Sequence, residues 1–212
     1  FYRFPRVDYK MLKEAAKGGH LMVSTACLGG PLCYEVFRHL QEIQFDDLHA
    51  SLLDDQALFE KVLVGVGNAY EQLEHSVGPG NVKLELQFNK LSAQHLVNRA
   101  IAQFAINSGL TDQLVVTTDS HYSHPDRWQE REVYKKLGWL NYKDFDPSQL
   151  PQSKEDLKCE LYPKNANQLW DTYLEVKEAI KDYSERRMRH EIHEIPDGIY
   201  TYEGYAIDND GV

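Results

Sequence analysis

Cysteine is scarce and odd in number: Cys27, Cys33 and Cys159 are the only three, and none forms a C-x-x-C pair. A disulfide framework is therefore not expected as the source of stability, and a reducing, cytoplasmic compartment is. No apolar run is long enough to span a bilayer, and the start, Phe1-Tyr2-Arg3-Phe4-Pro5-Arg6, has neither an initiator Met nor a hydrophobic leader. The chain is thus expected to begin inside something longer. Positive charge is short as well, with 23 Lys and Arg against 33 Asp and Glu and a formal net charge of −10. Broad electrostatic binding to nucleic acid needs clustered cations to neutralise phosphates, so it is not expected of this segment by itself.

What is present is enough to build a core. The 212 residues are 42% hydrophobic, which suits one soluble domain, or one domain with an appendage. Helices alternate with short apolar strands. Apolar positions at helical spacing predict a helix from Val7 to Lys17, closed by Gly18-Gly19. A strand comes next at about Leu21 to Thr25 and runs into the turn Cys27-Leu28-Gly29-Gly30-Pro31. Helices are then expected from Pro31 or Leu32 to about Leu40, and from Gln56 to His75 with Asp54 or Asp55 as its cap.

The second half repeats the alternation. Val82 to Phe88 reads as a strand with Val82, Leu84, Leu86 and Phe88 on one face and Lys83, Glu85 and Gln87 on the other. A helix capped by Ser92 should reach about Ser108, and the strand Leu114 to Thr118 comes directly after it. A strand–helix–strand unit of this length implies parallel pairing and a right-handed crossover. Further helices are expected from Pro125 to about Leu137 and from about Asn165 to Arg187. The tail from His190 to Val212 has no clear period.

Chemistry-bearing residues gather at the strand ends. The run Leu114-Val115-Val116-Thr117-Thr118-Asp119-Ser120-His121-Tyr122 delivers a carboxylate and an imidazole two residues apart, on one side of an extended chain. Such a pair can ligate a metal, although a polar strand-to-loop exit is the ordinary reading. Glu85, by its position on a parallel neighbour, should sit at the same end, its ordinary reading being a solvated or salt-bridged carboxylate. His20 and His124 are weaker candidates, His124 reading first as a neighbour of a helix cap. His190 and His193 are at helical spacing in the tail and read as an exposed polar turn.

Four blocks together carry a resemblance: Pro5-Arg6-Val7-Asp8 with Leu12; His20-Leu21-Met22-Val23-Ser24-Thr25-Ala26-Cys27-Leu28-Gly29-Gly30; Leu84-Glu85-Leu86-Gln87-Phe88-Asn89; and Val115 to Tyr122. In order and spacing they resemble the PHP (polymerase and histidinol phosphatase) domain of the bacterial replicative DNA polymerase III alpha subunit. The resemblance covers about Phe1 to Leu140, and the segment at Glu160-Leu161-Tyr162-Pro163 looks like the stretch C-terminal to that domain in those polymerases. It implies an α/β fold that is part of a distorted (βα)7-type barrel, a mainly parallel sheet with surrounding helices. On this basis 1–140 would be the C-terminal part of a PHP-like domain, 141–189 a helical extension, and 190–212 a tail.

The resemblance also implies a metal-dependent phosphoesterase site, acting in some members as a 3′–5′ exonuclease. Its ligands would include Cys27, Asp119 and His121, with zinc or manganese as the divalent ion. The family's His-x-His block is missing before Cys27, and so are the palm carboxylates of the nucleotidyltransferase. The expectation is therefore a structural or non-catalytic module of a replicative polymerase, with DNA met only indirectly. The alternative is a phosphoesterase whose site is completed by another chain or by other residues. A barrel left open should expose a strand edge or apolar patch, and a homodimer through that surface or through the tail is expected.

Overall fold

The computed structural model describes residues 7–139, 151–157 and 159–180. It is a mixed α/β structure with nine principal elements in the order α1 (Tyr9–Ala16), β1 (Val23–Ser24), α2 (Pro31–Arg38), α3 (Gln56–Val77), β2 (Val82–Gln87), α4 (Ser92–Asn107), β3 (Leu114–Thr117), α5 (Trp128–Trp139) and α6 (Ala166–Ile180). The three strands form one parallel sheet with β2 in the middle. Val23 pairs with Val82 and Ser24 with Lys83, while Leu84 to Gln87 pair in step with Leu114 to Thr117.

The long α3 shows how the sequence sets an element. Asp55 caps it through a bond from the Leu58 N–H at 3.0 Å, and Gly78, at φ +91°, ends it with its N–H on the Glu74 carbonyl. Between these stops Phe59, Val62, Val66, Ala69, Tyr70, Leu73 and Val77 recur at helical spacing and are buried. They join Leu32 and Val36 of α2, Leu96, Ala100, Ile101 and Phe104 of α4, and Leu84 and Leu86 of β2 in one core. Full burial of each large apolar side chain contributes about 1.5–3 kcal/mol.

Several expectations are refined. The strand expected at Leu21–Thr25 pairs only over Val23–Ser24, and the chain turns at Ala26, which takes φ +62°. Ser92 does not cap α4; Leu91 holds the cap position, with no side-chain bond, and Ser92 is the first helical residue. Pro125–Arg127 is a 3₁₀ turn preceding α5 rather than its first turn. Strand β2 is buried on both faces, so Glu85 and Gln87 lie 7% and 3% exposed. The expectations for Leu140, for 141–150, for Arg187 and for the tail with His190 and His193 lie outside the described residues. No helix among the described residues is long and apolar enough to cross a membrane.

Candidate site at the carboxyl end of the sheet

Because β1, β2 and β3 run parallel, the loops that leave them meet at one end, and a cleft of about 490 Å³ opens there. Cys27 comes from the exit of β1, Gln87 and Asn89 from β2, and Asp119 and His121 from β3. Arg131, Glu132 and Lys135 of α5 form one wall, and Asp156, Leu157, Cys159 and Leu161 form another.

The turn after β1 is tightly determined. Ala26 sits in the left-handed region, a conformation that costs an L-residue roughly 1–2 kcal/mol. The Gly30 N–H closes the turn on the Cys27 carbonyl at 2.8 Å, and the Cys33 thiol donates to the same carbonyl at 3.1 Å. Only glycine fits at 30, because a Cβ there would stand 2.0 Å from the Thr25 carbonyl oxygen. Cys27 itself is half-buried, whereas Cys33 is buried and desolvation pushes its thiol up to about 12. Cys33 is inert as a nucleophile at neutral pH.

Strand β3 exits in a similar way. Asp119 takes φ +46°, a backbone state more tolerable for Asp than for most residues. His121 Nδ1 lies 2.5 Å from the Asp119 carbonyl oxygen, which can only accept, so in the neutral ring Nδ1 carries the proton and Nε2 keeps its lone pair. The loop is clasped from behind: the N–H groups of His121 and Tyr122 both donate to the Leu161 carbonyl, and the Leu161 N–H donates to the Tyr122 hydroxyl at 3.0 Å.

Glu85 is buried, and among the described residues it forms no salt bridge. Its Oε2 accepts from the Ser24 hydroxyl at 2.5 Å and the Ala26 N–H at 3.1 Å, and its Oε1 accepts from Gln87 Nε2 at 3.1 Å and from the Thr117 hydroxyl. Beside the cleft, Glu132 is buried and receives both Lys135 Nζ, at 2.8 Å, and Arg131 Nη1, at 3.2 Å. Asp156 is held below the usual carboxylate range by the backbone N–H and then the hydroxyl of Ser153, with the Gln152 N–H adding to them.

Of the residues singled out in the sequence, Cys27, Asp119 and His121 thus share one cleft. The exposed His20 precedes β1, at the amino end of the sheet, and His124 lines a separate depression with Asp126 and Arg127. Among the described residues no three His, Cys, Asp or Glu side chains are grouped so as to hold a metal ion. Glu85, for its part, is committed to four protein donors. Sequence reasoning did not find Cys159, Asp156 or the Arg131–Glu132–Lys135 cluster as cleft residues. The available signal was the block Glu160-Leu161-Tyr162-Pro163, which the resemblance had singled out without placing it at the cleft.

No family model matches the chain. Among curated proteins, the DNA polymerase III subunit alpha of Helicobacter pylori (strain ATCC 700392 / 26695) is 23% identical over 194 residues, covering 87% of this chain and 14% of that protein. The subunit of Chlamydia muridarum is 24% identical over 193 residues, 86% of this chain and 14% of its own length. That of Thermus aquaticus is 28% identical over 133 residues, 63% of this chain and 9% of the relative. The chain is a distant homologue of these subunits and spans about one seventh of the length of the first two.

Proposed function

We propose that this chain is the PHP-domain portion of a DNA polymerase III alpha-subunit-like protein and serves DNA replication as a structural, non-catalytic module. The similarity to the three alpha subunits, running through most of the chain, carries the reading. The strand-end chemistry supports its second half. A phosphoesterase centre needs carboxylates and imidazoles free to take up metal ions, and here the most buried strand-end carboxylate, Glu85, is saturated by protein donors. The module's partner is the remainder of a replicative polymerase in the cytoplasm, with a second copy of this chain as a further associate; DNA is met through that assembly.

The test is hydrolysis of a 3′-labelled single-stranded oligonucleotide by the purified chain with Mg²⁺, Mn²⁺ or Zn²⁺ supplied. No release of label is expected. Release that Asp119→Ala abolishes would overturn the reading. It would instead support a metal-dependent exonuclease-like phosphoesterase, completed by a second chain or by residues such as Cys159. The observation that favours this second reading is the shared cleft of Cys27, Asp119 and His121, with His121 Nε2 left to bind.

A further inference from the structure

If the module is non-catalytic, as proposed above, its strand ends need a source of cohesion other than metal, and we infer that Glu85 supplies it: a metal-independent tie that seats β1 and the Cys27 turn against β2 and β3. The main-chain ladder is too short to do this alone. Strand β1 pairs over two residues only, Val23 and Ser24, and it is an edge strand. Flanking that two-residue ladder are main-chain bonds from the Val23 N–H to the Asn81 carbonyl and from the Thr25 N–H to the Lys83 carbonyl.

Glu85 adds three bonds to the same segment. Its carboxylate takes the Ser24 hydroxyl and the Ala26 N–H, and its own N–H donates to the Thr25 hydroxyl at 2.9 Å. Three consecutive residues are held by one. On the other side the carboxylate takes the Thr117 hydroxyl of β3 directly, and Gln87 Nε2 bridges Glu85 Oε1 and Thr117 Oγ1. One side chain therefore touches all three strands.

The placement of the bonds matters more than their number. Ala26 is in the left-handed region, and its N–H points at Glu85 Oε2, so the strained residue that aims Cys27 is the one the carboxylate holds. Every partner of the carboxylate is a donor, and each oxygen receives two, which meets the need of a buried carboxylate without a cation. Glu85 is thus a positioning residue for Cys27 rather than a ligand.

The experiment uses the full chain carrying Cys159→Ser, so that Cys27 is the only accessible thiol, and follows its alkylation by iodoacetamide. With Glu85→Ala and far-UV circular dichroism retained, alkylation is expected to accelerate by at least about tenfold, as local opening of the turn becomes easier. Glu85→Gln, which keeps one acceptor oxygen, should fall between. An unchanged rate in Glu85→Ala overturns the inference. Should that variant not fold, the unsubstituted chain decides: its Tm is expected to agree within about 1 °C with EDTA, with Mn²⁺ and with Zn²⁺. A rise with either ion that Glu85→Gln abolishes would make Glu85 a ligand and overturn the tie. Nuclease activity appearing with no such rise would sink the non-catalytic reading alone and leave the tie standing.

Discussion

Leu84 and Glu85 are neighbours in β2, yet they face two differently built regions. On Leu84's side the helices α2, α3 and α4 supply Leu32, Val62, Val66, Leu96 and Ile101, all essentially inaccessible and all apolar. On Glu85's side Thr25 and Gln87 bond to it, and the buried Gln94 and Glu132 line the cleft beyond the strand ends. The first region gains its stability from close packing, which is insensitive to orientation but sensitive to volume. The second gains it from donors and acceptors that must each find a partner, where losing one leaves the other buried and unpaired.

Substitutions can separate the two. Leu84→Ala empties a fully buried site on the packed side and should cost about 2–5 kcal/mol in chemical denaturation, the largest of these effects. A loss below about 1 kcal/mol would mean that the two sides are less different than their composition implies. On the polar side Gly30→Ala forces a Cβ onto the Thr25 carbonyl, a backbone atom that cannot swing away, and about 3 kcal/mol is expected from thermal melts. Lys135→Met removes one of the two cations on buried Glu132 and leaves Arg131. Because Lys135 is partly exposed, a smaller loss of about 1–2 kcal/mol should appear in urea titrations.

The smallest effect is the pH dependence at His95. Burial lowers its pKa, with the bond to the Asn89 carbonyl opposing that shift. The folded state therefore resists the proton that the unfolded chain accepts near its ordinary pKa of about 6.5. The contribution of neutral His95 is full above that value and declines as pH falls below it. Comparing urea midpoints from about pH 7.5 to about pH 5.5, the chain should lose more stability than His95→Gln does; equal slopes would show that His95 is not the group responsible.

The same division governs what could be read from the amino acids. The unit β2–α4–β3 was legible almost to the residue, as was α3, whose cap Asp55 was one of two offered, because apolar periodicity and Gly or Asp punctuation are local signals. The polar region was half legible. Asp119 and His121 announce themselves at the end of an apolar run, and Cys27 in a glycine turn. The four donors on Glu85 come from residues two to 61 positions away, and no period in the sequence records that they converge. Nor does it record that Glu132, which reads as one charge among many on α5, is buried between two cations.

The Leu161 clasp on the loop of His121 and Tyr122 sets a timetable. The Tyr122 hydroxyl and the Leu161 N–H are 39 positions apart, so during synthesis the loop after β3 emerges before the residue that fastens it does. At translation rates of about 5–20 residues per second, the interval is on the order of 2–8 s. Throughout that interval the packed half can already close around Leu84, while the cleft stands open at its back. The last wall of the cleft is thus the latest part of it to be made.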